Sequence, residues 1–396
     1  MGIRLGLVGL GSFGSAFAPL FRRHPLVDRV ALCDQDPGRV AAVANHPDFR
    51  DTFAPGDAYD SLEAICRADL DALVLITQPW LHAPQAIQAM EHGKHVYSAV
   101  PVISLPSVDE ILDWCDRLVA ACRRTGMHYM LGETTVYRPE CMFCRRQAEA
   151  GAFGSFVYAE GEYLHPFDLP SCDLREVAAR RAASPAGRAW AEISRRYRER
   201  GILGSPMTYP THSVAGPMWI MRAHALRVAA HGTAPASDDP YFSGSRFSNV
   251  TAFCRMSNGS SMRICEFREA AYPAGAGFEH ETFRIFGTKG TFRENTWMVR
   301  DGCRKLSPAQ MRDPLPAEVA AAWRSEDGTS VAYGGHGGSH AYLVHEFVDA
   351  IATGRRPAIS VWDACRYMAV GCTAQRSAER DGEWLEVPDW GDPPAG

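Results

Sequence analysis

Six residues near the start of the chain, Gly9-Leu10-Gly11-Ser12-Phe13-Gly14, constrain the fold more than any other feature. They follow an apolar run, Ile3–Gly9, and open a helix predicted to reach about Phe21. Glycines at this spacing allow a tight turn and close approach of a pyrophosphate, whose charge is met by backbone N–H groups and the helix dipole. Asp34 ends the next apolar run, Val30–Cys33, twenty residues beyond Gly14. An acid there can accept hydrogen bonds from both ribose hydroxyls of NAD. Gln35 and Asp36 follow, with no nearby Arg to welcome a 2′-phosphate, so the reading favours NAD over NADP. A glycine turn without a ligand is the plainer alternative.

Beyond that turn, short apolar runs at Ala72–Ile76 and His95–Tyr97 alternate with stretches of helical period up to Gly126. This texture predicts βαβ units and a parallel sheet. Ser107 and Glu110 form a predicted capping box for a helix closed by Gly126, and a short strand, His128–Leu131, follows. After Glu133 the strands lengthen and alternate, at Phe156–His165, Asn249–Met256, Ser261–Arg268 and Thr282–Phe286, and Asn258-Gly259 joins the middle two as a hairpin. The expected architecture is α/β: a dinucleotide-binding domain at 1–126, then an α+β domain at 127–396 built on a large, mostly antiparallel open sheet. Between Asp168 and Gly204 lies an arginine-rich helical insertion, read as a solvated face or subunit contact, or as a rim that attracts an anionic sugar.

Composition narrows the partners. The 396 residues carry 41 Lys plus Arg against 46 Asp plus Glu, a net charge of −5, so no basic field exists to hold nucleic acid or an anionic membrane. No run is long and apolar enough to span a bilayer, and no leader is evident, so a cytoplasmic location is expected. The twelve cysteines are scattered, and Cys141-Met142-Phe143-Cys144 lacks the second pair a structural zinc would need. We therefore expect reduced thiols and no metal. Lys94, Lys289 and Lys305 are the only lysines.

Several stretches resemble a known family. Ile76-Thr77-Gln78-Pro79-Trp80-Leu81-His82, Gly93-Lys94-His95-Val96 and Pro101, with Gly151-Ala152-Phe153-Gly154 and Gly354-Arg355-Arg356-Pro357, resemble the Gfo/Idh/MocA oxidoreductases. The resemblance implies a Rossmann domain with Thr77, Gln78, Pro79, His82 and Pro101 beside the cofactor, and homo-oligomers formed through the open sheet. Ordinary members carry Glu-Lys-Pro where this chain has Ala99-Val100-Pro101, so the family's catalytic lysine is missing. NAD-dependent α-N-acetylgalactosaminidases of the same superfamily also lack it. Glu133-Thr134-Thr135-Val136-Tyr137-Arg138, Gly161-Glu162-Tyr163-Leu164-His165, Tyr209-Pro210-Thr211-His212 and Gly334-Gly335-His336-Gly337-Gly338 are similar to stretches of that subgroup. Ala99 and Thr134 depart from it, in place of its Glu and Asn.

Independently of family, Tyr163 and His165 lie two apart on a strand and share a face with Val157, Ala159 and Gly161, which are small and leave room for a ligand. Paired acid–base groups beside a cavity suit hydride chemistry on an alcohol, or they form a hydrogen-bonded core pair. His212 starts a helix, whose N-terminus disfavours the imidazolium and predicts a neutral, proton-accepting ring, or a plain structural histidine. Glu133 is a site residue or the salt-bridge partner of Arg138. The resemblance implies transient oxidation of a sugar at C3, elimination across C2 and C1, water addition and re-reduction. It assigns Tyr163 to the C2 proton, His212 to the C3 hydroxyl, and Glu133 and His165 to positioning or the leaving group. Tyr137, Arg138, Tyr209, Thr211 and His336 are the expected sugar contacts. Simple dehydrogenation of a sugar or polyol, and a non-catalytic NAD and sugar sensor, are the alternatives.

Overall fold

The computed structural model describes residues 2–271, 280–325 and 330–394. The first sheet contains β1 (Ile3–Val8), β2 (Val27–Cys33), β3 (Ala58–Tyr59), β4 (Ala72–Leu75), β5 (His95–Ser98) and β6 (Tyr129–Leu131). All pairs are parallel, in the order β3-β2-β1-β4-β5-β6. All four residues of β4 are fully buried, as expected for a strand covered on both faces, which is why these strands read as short unbroken apolar runs. The sheet extends beyond the expected boundary at residue 126, because β6 pairs with β5. The intervening helix, Val108–Thr125, ends on left-handed Gly126. Its capping box is only half formed: Ser107 Oγ accepts from Glu110 N at 3.3 Å, but the Glu110 carboxylate accepts from the Tyr197 hydroxyl instead.

The second sheet contains β7 (Phe156–Leu164), β8 (Ala225–Thr233), β9 (Asn249–Met256), β10 (Ser261–Phe267), β11 (His280–Gly287), β12 (Gly290–Arg293), β13 (Thr296–Val299), β14 (Gly302–Lys305) and β15 (Leu385–Glu386). Their order is β14-β13-β12-β11-β7-β10-β9-β8-β15. Only β7 and β10 run parallel; every other pair is antiparallel. The parallel pair brings the C-terminal ends of two strands together, with Tyr163 opposite Glu266. Antiparallel β11 places Glu281 opposite Tyr163 on the other side. Three polar side chains thus stand in one row across the sheet, on the face covered by the helix Thr211–Met221. On the other face, Glu160 and Glu162 pair with Arg263 and Arg284.

The arginine-rich insertion forms two helices, Leu174–Ala182 and Pro185–Glu199. It is not merely a solvated face. The Trp190 indole stacks on Trp80 of the first domain, centroids 4.9 Å apart and planes 11° off parallel. No helix among the described residues is long and apolar enough to cross a membrane. All twelve cysteines are free, with Cys141 and Cys144 buried in the helix Pro139–Glu149.

Candidate active site

At the cofactor end, each glycine of the first turn has a distinct geometric reason. Gly9 has φ of +90°, and a Cβ there would lie 2.3 Å from the Ile76 carbonyl oxygen. A Cβ on Gly14 would lie 1.9 Å from the Gly9 carbonyl oxygen. Gly11 is the N-cap of the helix Ser12–Arg23 and makes no side-chain cap, so Ser12, Phe13 and the next residues begin the helix with no side chain capping it. This cradle fits a pyrophosphate. The Asp34 carboxylate is fixed by two backbone N–H donors, Leu10 at 2.7 Å and Asp36 at 2.9 Å. Contrary to the sequence reading, an arginine is close: Arg39 sits 3.7 Å from Asp34 and 3.6 Å from Asp36. Helix geometry returns residue 39 toward the strand end, and the two acids it faces would repel a 2′-phosphate.

The loop after β4 carries the next expected contacts. Thr77 Oγ1 donates to Gln85, Gln78 Nε2 reaches Ser184 Oγ of the insertion at 3.5 Å, and the Pro79 carbonyl accepts from Ser104 N. Buried His82 lies beneath the loop, with Nδ1 2.8 Å from the Pro101 carbonyl and Nε2 3.2 Å from that of Thr77. It ties the two cofactor segments together. The three lysines are elsewhere: Lys94 Nζ caps the Ala68 and Leu70 carbonyls, Lys289 occupies the β11–β12 turn beside Gly154, and Lys305 ends β14.

At the other end, the helix Thr211–Met221 is buried on nearly all sides and presses its first turn onto β7. Gly161 makes this possible, since a Cβ there would lie 1.8 Å from the Ser213 carbonyl oxygen. The space expected above Val157, Ala159 and Gly161 is therefore not ligand space: Val157 is 53% exposed at the strand start, and helix backbone fills the rest. What remains is the end of the strand at Tyr163 and His165.

There the expected residues meet. The Tyr163 hydroxyl is 2.8 Å from His165 Nδ1, and His165 Nε2 is 3.2 Å from the Cys172 carbonyl. The carbonyl can only accept, so Nε2 carries the proton and Tyr163 O–H donates to Nδ1. The Tyr163 ring lies 4.7 Å from the His212 ring, and Tyr209 flanks His212 at 5.4 Å. Fully buried Glu133 accepts from His212 Nδ1 at 3.0 Å, from Thr135 N at 3.0 Å and from Thr135 Oγ1 at 2.9 Å. Its second oxygen has no hydrogen-bond partner among the described residues.

Three expectations change. Arg138 pairs with Glu281, not with Glu133. His212 is charged, not neutral: burial opposes the imidazolium, but Glu133 and Glu281, the latter 3.5 Å from Nδ1, overcome it and raise the pKa well above the usual value. Two carboxylates outweigh one helix terminus. In return, although burial alone would raise both acids, His212 holds Glu133 down, and Arg138 with His212 holds Glu281 down. Third, the expected sugar contacts divide. Tyr209 lines the site and donates to the Val100 carbonyl at 3.3 Å, and Thr211 is buried beside His212. Tyr137 is set apart, near Glu346, Arg355 and Tyr367. His336 packs 5.7 Å from the Phe13 ring at the cofactor turn, its Nδ1 2.9 Å from His340 Nε2.

Glu266, Arg268 and Glu281 were missed. Burial pushes the Glu266 carboxyl up to about 7, against the opposing pull of Arg268 and Ser213, whose Oγ donates to it at 2.6 Å. The Arg268 guanidinium lies 5.0 Å from the Tyr163 ring centroid. A signal existed in strand parity. Met262 and Ile264 face inward on β10, and Phe283 and Ile285 on β11, so Glu266, Arg268 and Glu281 occupy inward positions where a charge needs a reason. Glu133, His212 and Glu281 offer ligand atoms within 4.8 Å of one another, a spacing a divalent ion could bridge, but the imidazolium and Arg138 already balance the two acids.

Comparison with known proteins agrees with this division of labour. Residues 3–133 match the oxidoreductase family with the NAD-binding Rossmann fold, and residues 279–393 match the C-terminal domain of glycosyl hydrolase 109. A glycosyl hydrolase family 109 protein of Saccharopolyspora erythraea is 26% identical over 98% of this chain and 83% of its own length. An alpha-N-acetylgalactosaminidase of Bacteroides fragilis is 30% identical over 56% of this chain, and the match spans 49% of that protein. Among solved structures, levoglucosan dehydrogenase in complex with NADH superposes with a TM-score of 0.72 at 20% identity, over 98% of this chain and all (100%) of that one. Scyllo-inositol dehydrogenase of Lactobacillus casei with NAD(H) and scyllo-inositol gives 0.66 at 15% identity, over 98% and 99%. At these identities the structural neighbours establish the fold.

Proposed function

We propose that the chain, whose residues 3–133 match the NAD-binding oxidoreductase family and whose residues 279–393 match the glycosyl hydrolase 109 C-terminal domain, uses NAD to cleave a glycoside by transient oxidation within the sugar ring. One observation carries the reading: a buried Tyr163–His165 pair stands beside a charged His212, next to Tyr209, whose hydroxyl donates to the Val100 carbonyl just before Pro101, with no lysine among them. NAD+, when bound, accepts a hydride from a sugar carbon and later returns it.

The protein's own groups move the protons. Because Tyr163 donates to His165 Nδ1, its oxygen can take a proton from the sugar carbon next to a carbonyl while its own proton passes to His165. Arg268, over the ring, favours the phenolate character this requires. His212, held as a cation, donates to the sugar oxygen and polarises the carbonyl that forms there, while the hydroxyl proton freed as the hydride leaves passes to water and is taken back on reduction. Glu133 fixes the ring through Nδ1, leaving Nε2 for the sugar. Tyr209 and Thr211 complete the wall around His212. We further propose a cytoplasmic enzyme acting as a homo-oligomer through the face of the second sheet that carries Phe253, 49% exposed.

The test supplies nitrophenyl α- and β-glycosides with trace NAD+ and follows nitrophenol and NADH together. Nitrophenol in large excess over NAD+, without NADH build-up, is the expected result. NADH accumulating from free sugars without nitrophenol would identify a plain dehydrogenase. Binding of NAD and sugar without turnover would identify a sensor.

A further inference from the structure

The arginine-rich insertion has both feet in the second domain and its tip on the first. At one foot, Leu174 N donates to the Phe167 carbonyl at 2.9 Å, Phe167 N donates to the Arg268 carbonyl at 2.8 Å, and the Cys172 carbonyl accepts from His165 Nε2. At the other, Gly204 N donates to the Gly244 carbonyl at 2.9 Å, and the Gly204 carbonyl accepts from Arg246 N at 2.7 Å. Between the feet, the helix Leu174–Ala182 turns sharply into the helix Pro185–Glu199. A Cβ on Gly187 would lie 1.9 Å from the Arg181 carbonyl oxygen, and Ser184 Oγ donates to that carbonyl at 2.7 Å while accepting from Gly187 N at 3.0 Å.

The tip lands beside the cofactor crevice. In a parallel sheet ordered β3-β2-β1-β4-β5-β6 the strand order reverses between β1 and β4, and a dinucleotide lies outside the strand ends at that point. The loop after β4 forms one wall, since a Cβ on Gly9 would lie 2.3 Å from the Ile76 carbonyl oxygen and 3.1 Å from the Thr77 methyl. Trp80 belongs to this loop, and Trp190 of the insertion stacks on it with centroids 4.9 Å apart. Residue 197 follows residue 190 by two helical turns, so both fall on one face of the helix. From that face the Tyr197 hydroxyl donates to Glu110 of the first domain. The helices themselves bury little: the first has no buried residue, and the second has only Gly187 and Tyr197. A segment with so few buried contacts opens at low cost, whereas its feet are tied down by backbone bonds.

We propose that the insertion is a strap across the dinucleotide crevice, closed by the Trp80–Trp190 stack, which retains the bound cofactor. Trp190 is then a positioning residue that acts through Trp80 on the cofactor loop. If bound NAD+ holds the strap down, the strap holds NAD+ by the same factor. Two measurements test this without turnover, so they stand whether or not a glycoside is cleaved. The first is NADH release, followed by fluorescence after the loaded protein is mixed with excess NAD+. Release should be about tenfold or more faster in Trp190→Ala than in wild type, and within about threefold of wild type in Trp190→Phe, which keeps an aromatic face. A folded Trp190→Ala that releases NADH at the wild-type rate overturns the proposal. So does a Trp190→Phe that releases it as fast as Trp190→Ala, because the stack then retains nothing. The second measurement uses the wild-type protein alone. The eight arginines from Arg175 to Arg200 are all exposed and offer trypsin its cleavage sites. NAD+ should slow cleavage after them by about fivefold or more, read from fragment masses against exposed Arg50 outside the insertion. Equal or faster cleavage with NAD+ present overturns the proposal even if Trp190→Ala does not fold.

Discussion

The two ends of the cleft are built in opposite ways. Where the dinucleotide would lie, the chain presents mainly backbone: a turn without Cβ atoms, an uncapped helix start and one carboxylate held by two N–H groups. Where the sugar would lie, it presents side chains that hold one another's charge, drawn from Glu133, Tyr163, His212, Glu266, Arg268 and Glu281 on five separate segments. A backbone grip depends on space and is nearly indifferent to pH. A charge network depends on every partner, because each buried ion is tolerated only while its counter-ion remains.

The largest expected effect exploits that difference. Gly14→Ala puts a Cβ into the Gly9 carbonyl, and NAD+ affinity should fall by about a hundredfold or more, equivalent to roughly 3 kcal/mol. Gly161→Ala is the matching insult at the other end, forcing the helix of His212 off β7. It should lower the Tm, at a cost of roughly 1–3 kcal/mol, and abolish turnover while NADH still binds in a fluorescence titration. Loss of NADH binding in Gly161→Ala would mean that the two ends are not separable. Next in size, His212→Gln and Tyr163→Phe should each lower kcat by about 10²–10⁴, with the affinity for NADH unchanged. Turnover within about a factor of two of wild type would remove the residue concerned from the chemistry.

The same contrast governs how much of the molecule could be read from its sequence. The cofactor cradle was legible because its residues are local: a strand, a glycine turn, a helix and an acid at the next strand end. The second sheet and the Tyr163–His165 pair were also legible, since alternation and spacing reveal a shared face, whereas His212 was expected beside them only through the family resemblance. Glu281 and Arg268 were not, because their meaning depends on which strands become neighbours. The register that sets Glu266 and Glu281 on either side of Tyr163 joins segments more than a hundred residues apart. The charge on His212 was misread for the same reason. A helix terminus is visible in sequence, whereas two carboxylates arriving from Glu133 and Glu281 are not.

A smaller perturbation tests that charge directly. Glu281→Gln removes one of the two acids that keep His212 protonated, so the His212 pKa should drop toward its ordinary value. The alkaline limb of the kcat/KM profile then moves to lower pH, with activity near neutrality reduced about tenfold. Stability follows the same sign. His212 is raised on folding, so its contribution is complete below its unfolded value of about 6.5 and is lost as pH rises through the folded one. In Glu281→Gln that loss begins at lower pH. Glu133 behaves oppositely: its folded pKa is depressed, so its contribution is present above about 4.5 and fades only as pH falls through the folded value. A profile whose alkaline limb does not move in Glu281→Gln would show that Glu133 alone sets the charge of His212.

The smallest effect expected is at Ser213, whose hydroxyl donates to Glu266 at 2.6 Å. Burial raises this carboxyl to about 7, so it changes charge close to neutrality. Below pH 6 Ser213→Ala removes a bond to a protonated acid, at roughly 1 kcal/mol. Above pH 8 it removes a bond to a buried carboxylate, at roughly 1.5–3 kcal/mol, leaving Arg268 as the main counter-charge. The Tm difference between wild type and Ser213→Ala should therefore grow with pH across the titration of Glu266, whereas a helix-cap defect alone would be nearly flat in pH.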